Sequence, residues 1–218
     1  MLGRLSAMMQ THNSSVTPSE DIFEPVLTSV IDPIFELCAA MTVNRNASES
    51  SVLHLNVLTR VQNTLWPFAF ASKRNDGLLK LRDEYLQTLI KHQSDSILQR
   101  VGLADIQQLS HQFNESEHKD VPLSEMPGMN ASSIRNIVKE FYKTLFSLGT
   151  IDLPECERLV LPQLRMAARD GVAQALNQSY QSLYCAIKDP KSGYADPDVI
   201  LEYSPSDVST LLDTSVNT

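Results

Sequence analysis

The spacing of apolar residues constrains the fold most, because they return every three or four positions along most of the chain. In SSIRNIVKEFYKTLFSLG, residues 132–149, six of them fall on one side of a helix. They are Ile134, Ile137, Val138, Phe141, Leu145 and Leu148. Ser132 or Asn130 can cap its start, and Gly149 fits the position after its end. Glycine is scarce, with 7 residues in 218, and alternating β-branched runs are absent. The sequence therefore predicts an all-α fold, an elongated bundle or rod of helices.

Two other segments predict long helices. The segment at residues 78–102 ends with Gly102, and NDG at residues 75–77 indicates a turn before it. Its predicted inward side consists of Leu78, Leu81, Tyr85, Leu89, Ile97 and Val101. The last long helix is predicted at residues 163–189. Its predicted buried side consists of Met166, Val172, Leu176, Tyr180, Leu183 and Ile187.

Prolines indicate where helices begin and bend. In TPSE (residues 17–20) and SPSD (residues 204–207), a hydroxyl precedes a proline and a carboxylate follows, which predicts a capping box. Pro25 predicts a bend, and Pro33 predicts that the first helix restarts there. The expected inward residues of this helix are Ile22, Phe23, Val26, Val30 and Ile34.

The domain organisation follows from the longest stretch without helical spacing. This stretch, NESEHKDVPLSEMPGMN at residues 114–130, is polar at first and then holds two prolines and a glycine. We predict a flexible N-terminal segment at residues 1–16 and a helical group at 17–114. A loop at 115–130 then precedes a second helical group at 131–218.

The last part of the chain predicts a terminal clasp. The residue before a proline avoids the α region, so Asp189-Pro190 should end the last long helix, and Gly193 permits a left-handed turn. We expect the following apolar residues to fold back over the helices: Tyr194, Val199, Ile200 and Leu201, then Val208, Leu211 and Leu212 on a final short helix. The alternative is that the tail forms an edge that binds a partner. The clasp is favoured because the tail carries enough apolar residues to be held down.

The net charge of -8 and the pI near 5.1 disfavour nucleic acid and anionic lipid as direct partners. The opening MLGRLSAMMQTHNSS lacks the apolar run of a signal peptide, and nowhere do 18 apolar residues follow one another. These features predict a cytosolic protein.

No motif for catalysis or ligand binding emerges. A glycine-rich phosphate loop, His-Glu-x-x-His, Cys-x-x-Cys and Gly-x-Ser-x-Gly are all missing from the sequence. His111 and His118, with Glu115 and Glu117 between them, match no metal-site spacing and are typical of a solvated loop. Trp66 is interpreted as packing in the core or at a helix end.

The number and spacing of the cysteines also argue against a metal-binding or catalytic site. Cys38, Cys156 and Cys185 are odd in number and far apart, which favours small buried side chains over a disulfide framework or a zinc site. A nucleophilic Cys185 would need His54 or His92 as its base, from distant parts of the chain. The sequence therefore predicts no catalytic, cofactor-binding or metal-binding residues.

Several segments, in order, resemble a known family. They are DIFEPVLTSVIDPIFELCAA, LLKLRDEYLQTLIKHQSDSILQRVGL, LSEMPGM and SYQSLYCAIKDPKSGYADPDVILEYSPSDVSTLL. Together they are similar to the C-terminal portion of the sixth subunit of the conserved oligomeric Golgi (COG) complex. The last segment is the most specific, with its fixed order of Asp-Pro, Gly-Tyr, Asp-Pro, Ile-Leu and Ser-Pro.

The resemblance implies a noncatalytic subunit of a Golgi vesicle-tethering complex, built as a helical rod and acting in intra-Golgi retrograde transport and Golgi organisation. It implies the other COG subunits as partners, together with SNARE proteins and small GTPases, and a peripheral location on the cytosolic face of the Golgi membrane. Family members are much longer, which implies a fragment, a short isoform or a truncated gene model. The alternatives are a helical adaptor of another trafficking complex, such as exocyst, and a small helical enzyme.

Overall fold

The computed structural model describes residues 20–115, 121–147 and 153–216. Within these ranges the regular structure is helical and no strand occurs, so the predicted all-α bundle is confirmed. The α-helices are α1 (Glu20–Thr42), α2 (Ala47–Leu65), α3 (Ser72–Val101), α4 (Leu103–Glu115), α5 (Ala131–Ser147), α6 (Pro154–Glu157), α7 (Pro162–Lys188), α8 (Pro197–Ile200) and α9 (Pro205–Val216). Short 3-10 helices are η1 (Ala69–Ala71), η2 (Leu123–Glu125) and η3 (Pro190–Ser192).

The chain divides into two compact units. The N-terminal unit runs through Thr88 and also includes Leu159–Leu161, and the C-terminal unit comprises Leu89–Arg158 and Pro162–Thr218. The boundary therefore falls inside α3. The predicted division at the loop of residues 115–130 stays a prediction.

The core of the N-terminal unit is built by α1, α2, η1 and the start of α3. Its buried residues are Phe23, Leu27, Ile31, Leu58, Leu65, Phe70, Ala71 and Leu78. The rings of Phe23 and Phe70 stack with centroids 4.0 Å apart. Asn56 accepts a 2.8 Å hydrogen bond from the backbone N–H of Val160, which attaches Leu159–Leu161 to this unit.

Two predictions about this unit are wrong. First, α1 is a single helix with Pro25 and Pro33 inside it, so it does not restart at Pro33. Each proline removes a backbone donor, and the burial of apolar side chains on the core side of α1 offsets that loss. Second, residues 75–77 form no turn, because α3 already begins at Ser72 and brings Ala71 and Leu78 into the same core.

The C-terminal unit is arranged around α7. This helix packs against α4, α6, η3 and α9, and α5 packs against α4, α8 and α9. Residues of α7 are buried at a regular spacing: Leu164, Ala168, Val172, Leu176, Tyr180, Leu183 and Ile187. On α5, Asn130 supplies the cap, since its side chain accepts a 2.9 Å hydrogen bond from the N–H of Ser133. The apolar side of α5 is confirmed for Ile134, Val138, Phe141 and Leu145, while Leu148 and Gly149 lie outside the described residues.

Gly102 and Gly193 occupy positions that a side chain would disturb. Gly102 ends α3 with φ 79° and Gly193 follows η3 with φ 79°, so both predicted helix-end positions are left-handed. A Cβ at Gly193 would come within 2.6 Å of Pro122 and Ser124. Only a glycine at position 193 therefore allows this turn to pack against the segment that contains η2.

Candidate interaction surface and C-terminal clasp

The tail after α7 lies on the body of the C-terminal unit, as predicted. Ile200, Leu201, Val208 and Leu212 are buried, with 0–4% of their surface exposed. Val199 is 51% exposed, so its predicted burial is wrong. It is the neighbour of buried Ile200 in the one-turn helix α8, and adjacent positions diverge by about 100° around a helix. We call residues 194–212 the clasp.

The clasp begins with two attachments to the segment before α5. The hydroxyl of Tyr194 donates a 2.6 Å hydrogen bond to the carbonyl of Met129. The Ser124 hydroxyl donates a 3.1 Å bond to the carbonyl of Gly193. Burial raises the pKa of Tyr194 to about 12, so its hydroxyl keeps its proton and stays a donor at neutral pH.

Three tyrosines hold the middle of the clasp. The hydroxyls of Tyr142 on α5 and Tyr180 on α7 lie 2.6 Å apart, and Tyr180 donates a 2.5 Å bond to the carbonyl of Tyr203. The N–H of Tyr203 donates in turn to the Tyr142 hydroxyl over 3.3 Å. Tyr180 is fully buried, and burial raises the pKa of both Tyr142 and Tyr180. The network thus gives hydrogen-bond partners to both hydroxyls and to the backbone N–H and carbonyl of Tyr203.

A capping box starts the final helix, as the SPSD segment predicts. Asp207 Oδ2 accepts hydrogen bonds from the Ser204 N–H (2.9 Å) and from the Ser204 hydroxyl (2.7 Å). The N–H of Asp207 donates back to Ser204 Oγ over 3.3 Å. The hydrogen bonds from Ser204 lower the pKa of the Asp207 carboxyl. The equivalent box predicted at residues 17–20 involves positions outside the described residues.

The sequence offers few candidates for a catalytic or metal-binding site. No group of three or more His, Cys, Asp or Glu side chains suited to a metal ion occurs in the described parts of the chain. His54 is buried in the N-terminal unit, where its ring stacks on Tyr85 with centroids 4.3 Å apart. The side chains of His111, His118 and the glutamates between them lie outside the described residues.

The three cysteines have different environments. Cys38 and Cys156 are buried as predicted, and burial raises the pKa of the Cys156 thiol to about 11. Cys185 is exposed, so the prediction that it is a core cysteine is wrong. It follows buried Leu183 by two residues, which turns it about 200° away from the buried side of α7. Met166 is 59% exposed for the same reason, since it lies midway between buried Leu164 and Ala168.

The outer side of α1 is the main apolar surface that sequence reasoning missed. Val30, Ile34, Leu37 and Met41 are 38–62% exposed, so the predicted burial of Val30 and Ile34 is wrong. The core side of α1 carries Leu27, Ile31 and Cys38. Ile31 and Cys38 are each adjacent to one of the four exposed residues, and a shift of one residue turns a side chain by about 100°. We call these four residues the α1 seam.

The α1 seam has the spacing of a coiled-coil contact. The steps between its residues are four, three and four, which is the heptad pattern by which one helix packs along another. By length and composition alone, the stretch Phe23–Thr42 is also apolar enough to cross a membrane, although its other side belongs to the core of the N-terminal unit.

Trp66, at the end of α2, is 77% exposed, so its predicted packing is wrong.

Comparison with known proteins decides the family. The model of the family "Conserved Oligomeric Golgi complex subunit 6, C-terminal" matches residues 1–212. The chain belongs to this family. Relatives named conserved oligomeric Golgi complex subunit 6 include those of Dictyostelium discoideum (30% identical over 97% of this chain) and Homo sapiens (26% over 95%). The relative of Arabidopsis thaliana is 25% identical over 94% of the chain.

The chain spans about a third of the length of these COG subunit 6 relatives: 32% for Dictyostelium discoideum and Homo sapiens and 35% for Arabidopsis thaliana. No solved structure matches it significantly. The resemblance noted in the sequence is confirmed as family membership by the match over residues 1–212.

Proposed function

We propose that the chain is the noncatalytic C-terminal part of a COG subunit, acting in vesicle tethering at the Golgi through protein contacts. The observation that carries this proposal is the family match over residues 1–212. The proposed partners are the other COG subunits, with Golgi SNARE proteins and small GTPases as further partners. The proposed location is the cytosolic face of the Golgi membrane, reached through the complex.

The α1 seam supports a role in assembly. Its four apolar residues are exposed on a helix whose other side packs into the core of the N-terminal unit. A heptad-spaced seam is suited to a second helix, because the knobs of one helix fit the holes of the other. We therefore propose the α1 seam as a contact with a helix of another subunit.

Affinity purification of the tagged 218-residue chain from cells, followed by mass spectrometry, tests this function. We expect enrichment of COG subunits, and a reduced yield for Leu37→Asp, which places a charge in the α1 seam. Glu36→Lys, also on α1, is the matched control and should leave the yield unchanged. Enrichment of exocyst subunits instead would favour the alternative function, a helical adaptor of another trafficking complex. Recovery of neither complex would contradict the proposal.

A further inference from the structure

The segment that precedes α9 combines an acceptor motif with an acidic setting. The sequence contains two serine or threonine residues followed by proline: Thr17 and Ser204. Thr17 lies outside the described residues. Ser204 is partly exposed, and the residues before it, 201–203, are not helical. A serine directly before proline is the substrate class of proline-directed serine/threonine kinases.

The hydroxyl of Ser204 has a defined role in the closed clasp. It donates to Asp207 Oδ2 over 2.7 Å and accepts the Asp207 N–H over 3.3 Å. It also lies 2.7 Å from the Ser206 hydroxyl. The next residue towards the N-terminus, Tyr203, carries the carbonyl and the N–H that join the clasp to Tyr180 and Tyr142. A change at Ser204 therefore acts at the point where α9 meets the tyrosine network.

The charges around Ser204 determine whether a modification of its hydroxyl strengthens or weakens the attachment of α9. From Tyr194 onward the sequence has five acidic residues and no lysine or arginine. They are Asp196, Asp198, Glu202, Asp207 and Asp213. A phosphate would add about two negative charges to this segment. It would also remove the hydroxyl proton that now bonds to Asp207.

Two effects of a phosphate at this position oppose each other. A negative charge at the start of a helix is favourable, because the helix dipole is positive there. Against this, the phosphate would be bonded to an oxygen that now lies 2.7 Å from the Asp207 carboxylate. The charge of the phosphate would lie on its outer oxygens, which remain within a few ångströms of the Asp207 carboxylate. Like charges that close repel each other more strongly than the helix dipole attracts the phosphate. Repulsion therefore dominates, and the capping box opens.

We propose that Ser204 is a phosphorylation site for a proline-directed kinase and that its phosphorylation releases α9 from α7. In the transfer, the γ-phosphoryl group of ATP moves to Ser204 Oγ as its bond to the bridging oxygen of ADP breaks. The hydroxyl proton passes to the catalytic base of the kinase, and ADP leaves. Release exposes the apolar side of α9 and the surface of α7 beneath it, including Val208 and Leu212.

The experiment incubates the full 218-residue chain with an activated mitogen-activated protein kinase and ATP, and locates the phosphate by fragment mass spectrometry. We expect phosphate on Ser204, none at this position in Ser204→Ala, and unchanged labelling in Ser206→Ala, the neighbouring control. Failure to label Ser204, or labelling of Ser206 in its place, would overturn the assignment.

Hydrogen exchange then measures release in the phosphorylated chain. Amides of α9 should exchange roughly tenfold faster, as expected when a helix loses its N-terminal cap. In Asp207→Asn the repelling carboxylate is absent, so phosphorylation should accelerate exchange by a smaller factor. Unchanged exchange in the phosphorylated wild-type chain, or an equal acceleration in Asp207→Asn, would overturn the proposed release.

Discussion

Replacing Gly171 by alanine tests the packing of α7 in the C-terminal unit. A Cβ at this position would lie 2.3 Å from Cδ1, 2.9 Å from Cγ1 and 3.3 Å from Cγ2 of Ile90 on α3. Both branches of the isoleucine are therefore too close, and Ile90 is only 8% exposed. Because a β-branched side chain in a helix has one strongly preferred χ1 rotamer, rotation does not clear the added methyl group. The two helices must separate.

The expected size of the effect follows from two opposing contributions. Overpacking of a core costs about 1–3 kcal/mol, while alanine in a helix interior is about 1 kcal/mol better than glycine. We expect Gly171→Ala to lower the free energy of unfolding by about 1–2 kcal/mol, since the contact involves three atoms of a stiff side chain. In a chain of this size each kcal/mol corresponds to roughly 2–4 °C in Tm.

Gly77→Ala is the matched control for this prediction. Gly77 is also inside a helix, α3, but a Cβ there would meet nothing within 4 Å. The same substitution should therefore raise the free energy of unfolding by up to about 1 kcal/mol. Urea unfolding followed by circular dichroism measures both variants. Stabilisation by Gly171→Ala equal to that by Gly77→Ala would refute the steric argument.

A double-mutant cycle separates the Ile90 contact from other causes. Ile90→Ala removes all three atoms that crowd position 171. In that background Gly171→Ala should be neutral or stabilising by up to about 1 kcal/mol, which gives a coupling energy of about 1–3 kcal/mol. An additive result would show that the cost arises elsewhere.

Three further predictions concern hydrogen bonds and pH. Tyr180→Phe leaves the Tyr203 carbonyl without its buried donor and should cost about 1–3 kcal/mol in urea unfolding. Asn56→Ala removes the acceptor of the Val160 N–H and should cost about 1 kcal/mol in the same assay. Burial raises the pKa of Tyr194 to about 12, so the folded protein holds the proton of this hydroxyl more tightly than the unfolded protein does. Its contribution to stability is complete below pH of about 10 and is lost as pH rises towards about 12, which thermal melts across that range measure.

Each of these predictions has a matched control. Tyr184→Phe, one turn beyond Tyr180 on α7, should cost less, and equal losses would contradict the tyrosine network. Asn63→Ala, at an exposed position of α2, is the control for Asn56→Ala, and an equal loss would argue against the bond to Val160. Tyr194→Phe should reduce the loss of Tm at alkaline pH, and an unchanged profile would assign that loss to other groups.

The sequence predicted the helical class and most buried positions because one-sided burial imposes a regular spacing. On α7 the residues from Val172 to Ile187 were identified correctly, since they form a continuous side. The predicted burial of Met166 is wrong, because the buried side of α7 there consists of Leu164 and Ala168. The spacing of apolar residues alone is compatible with burial of Met166 or of Leu164. The α1 seam was missed for a related reason: α1 is apolar on both sides, so periodicity does not distinguish the core side from the exposed side.

Contacts between distant segments could not be predicted from spacing. The clasp was expected from its apolar residues, and the capping box at Ser204 from its four-residue motif. The hydrogen bonds from Tyr180 to Tyr203 and from Val160 to Asn56 join residues separated by 23 and 104 positions. A tyrosine in an apolar stripe predicts burial, but its hydroxyl partner is set by the tertiary arrangement.

The most direct test of the proposed function is a chimera of full-length COG subunit 6 in which the matching C-terminal third is replaced by this chain. It is expressed in cells that lack the subunit, beside a version truncated before that third, and co-purification with the other COG subunits is quantified. The account predicts that the chimera recovers more of the complex than the truncated version and localises to the Golgi. Recovery equal to that of the truncated version, from a chimera that is folded and equally abundant, would contradict it.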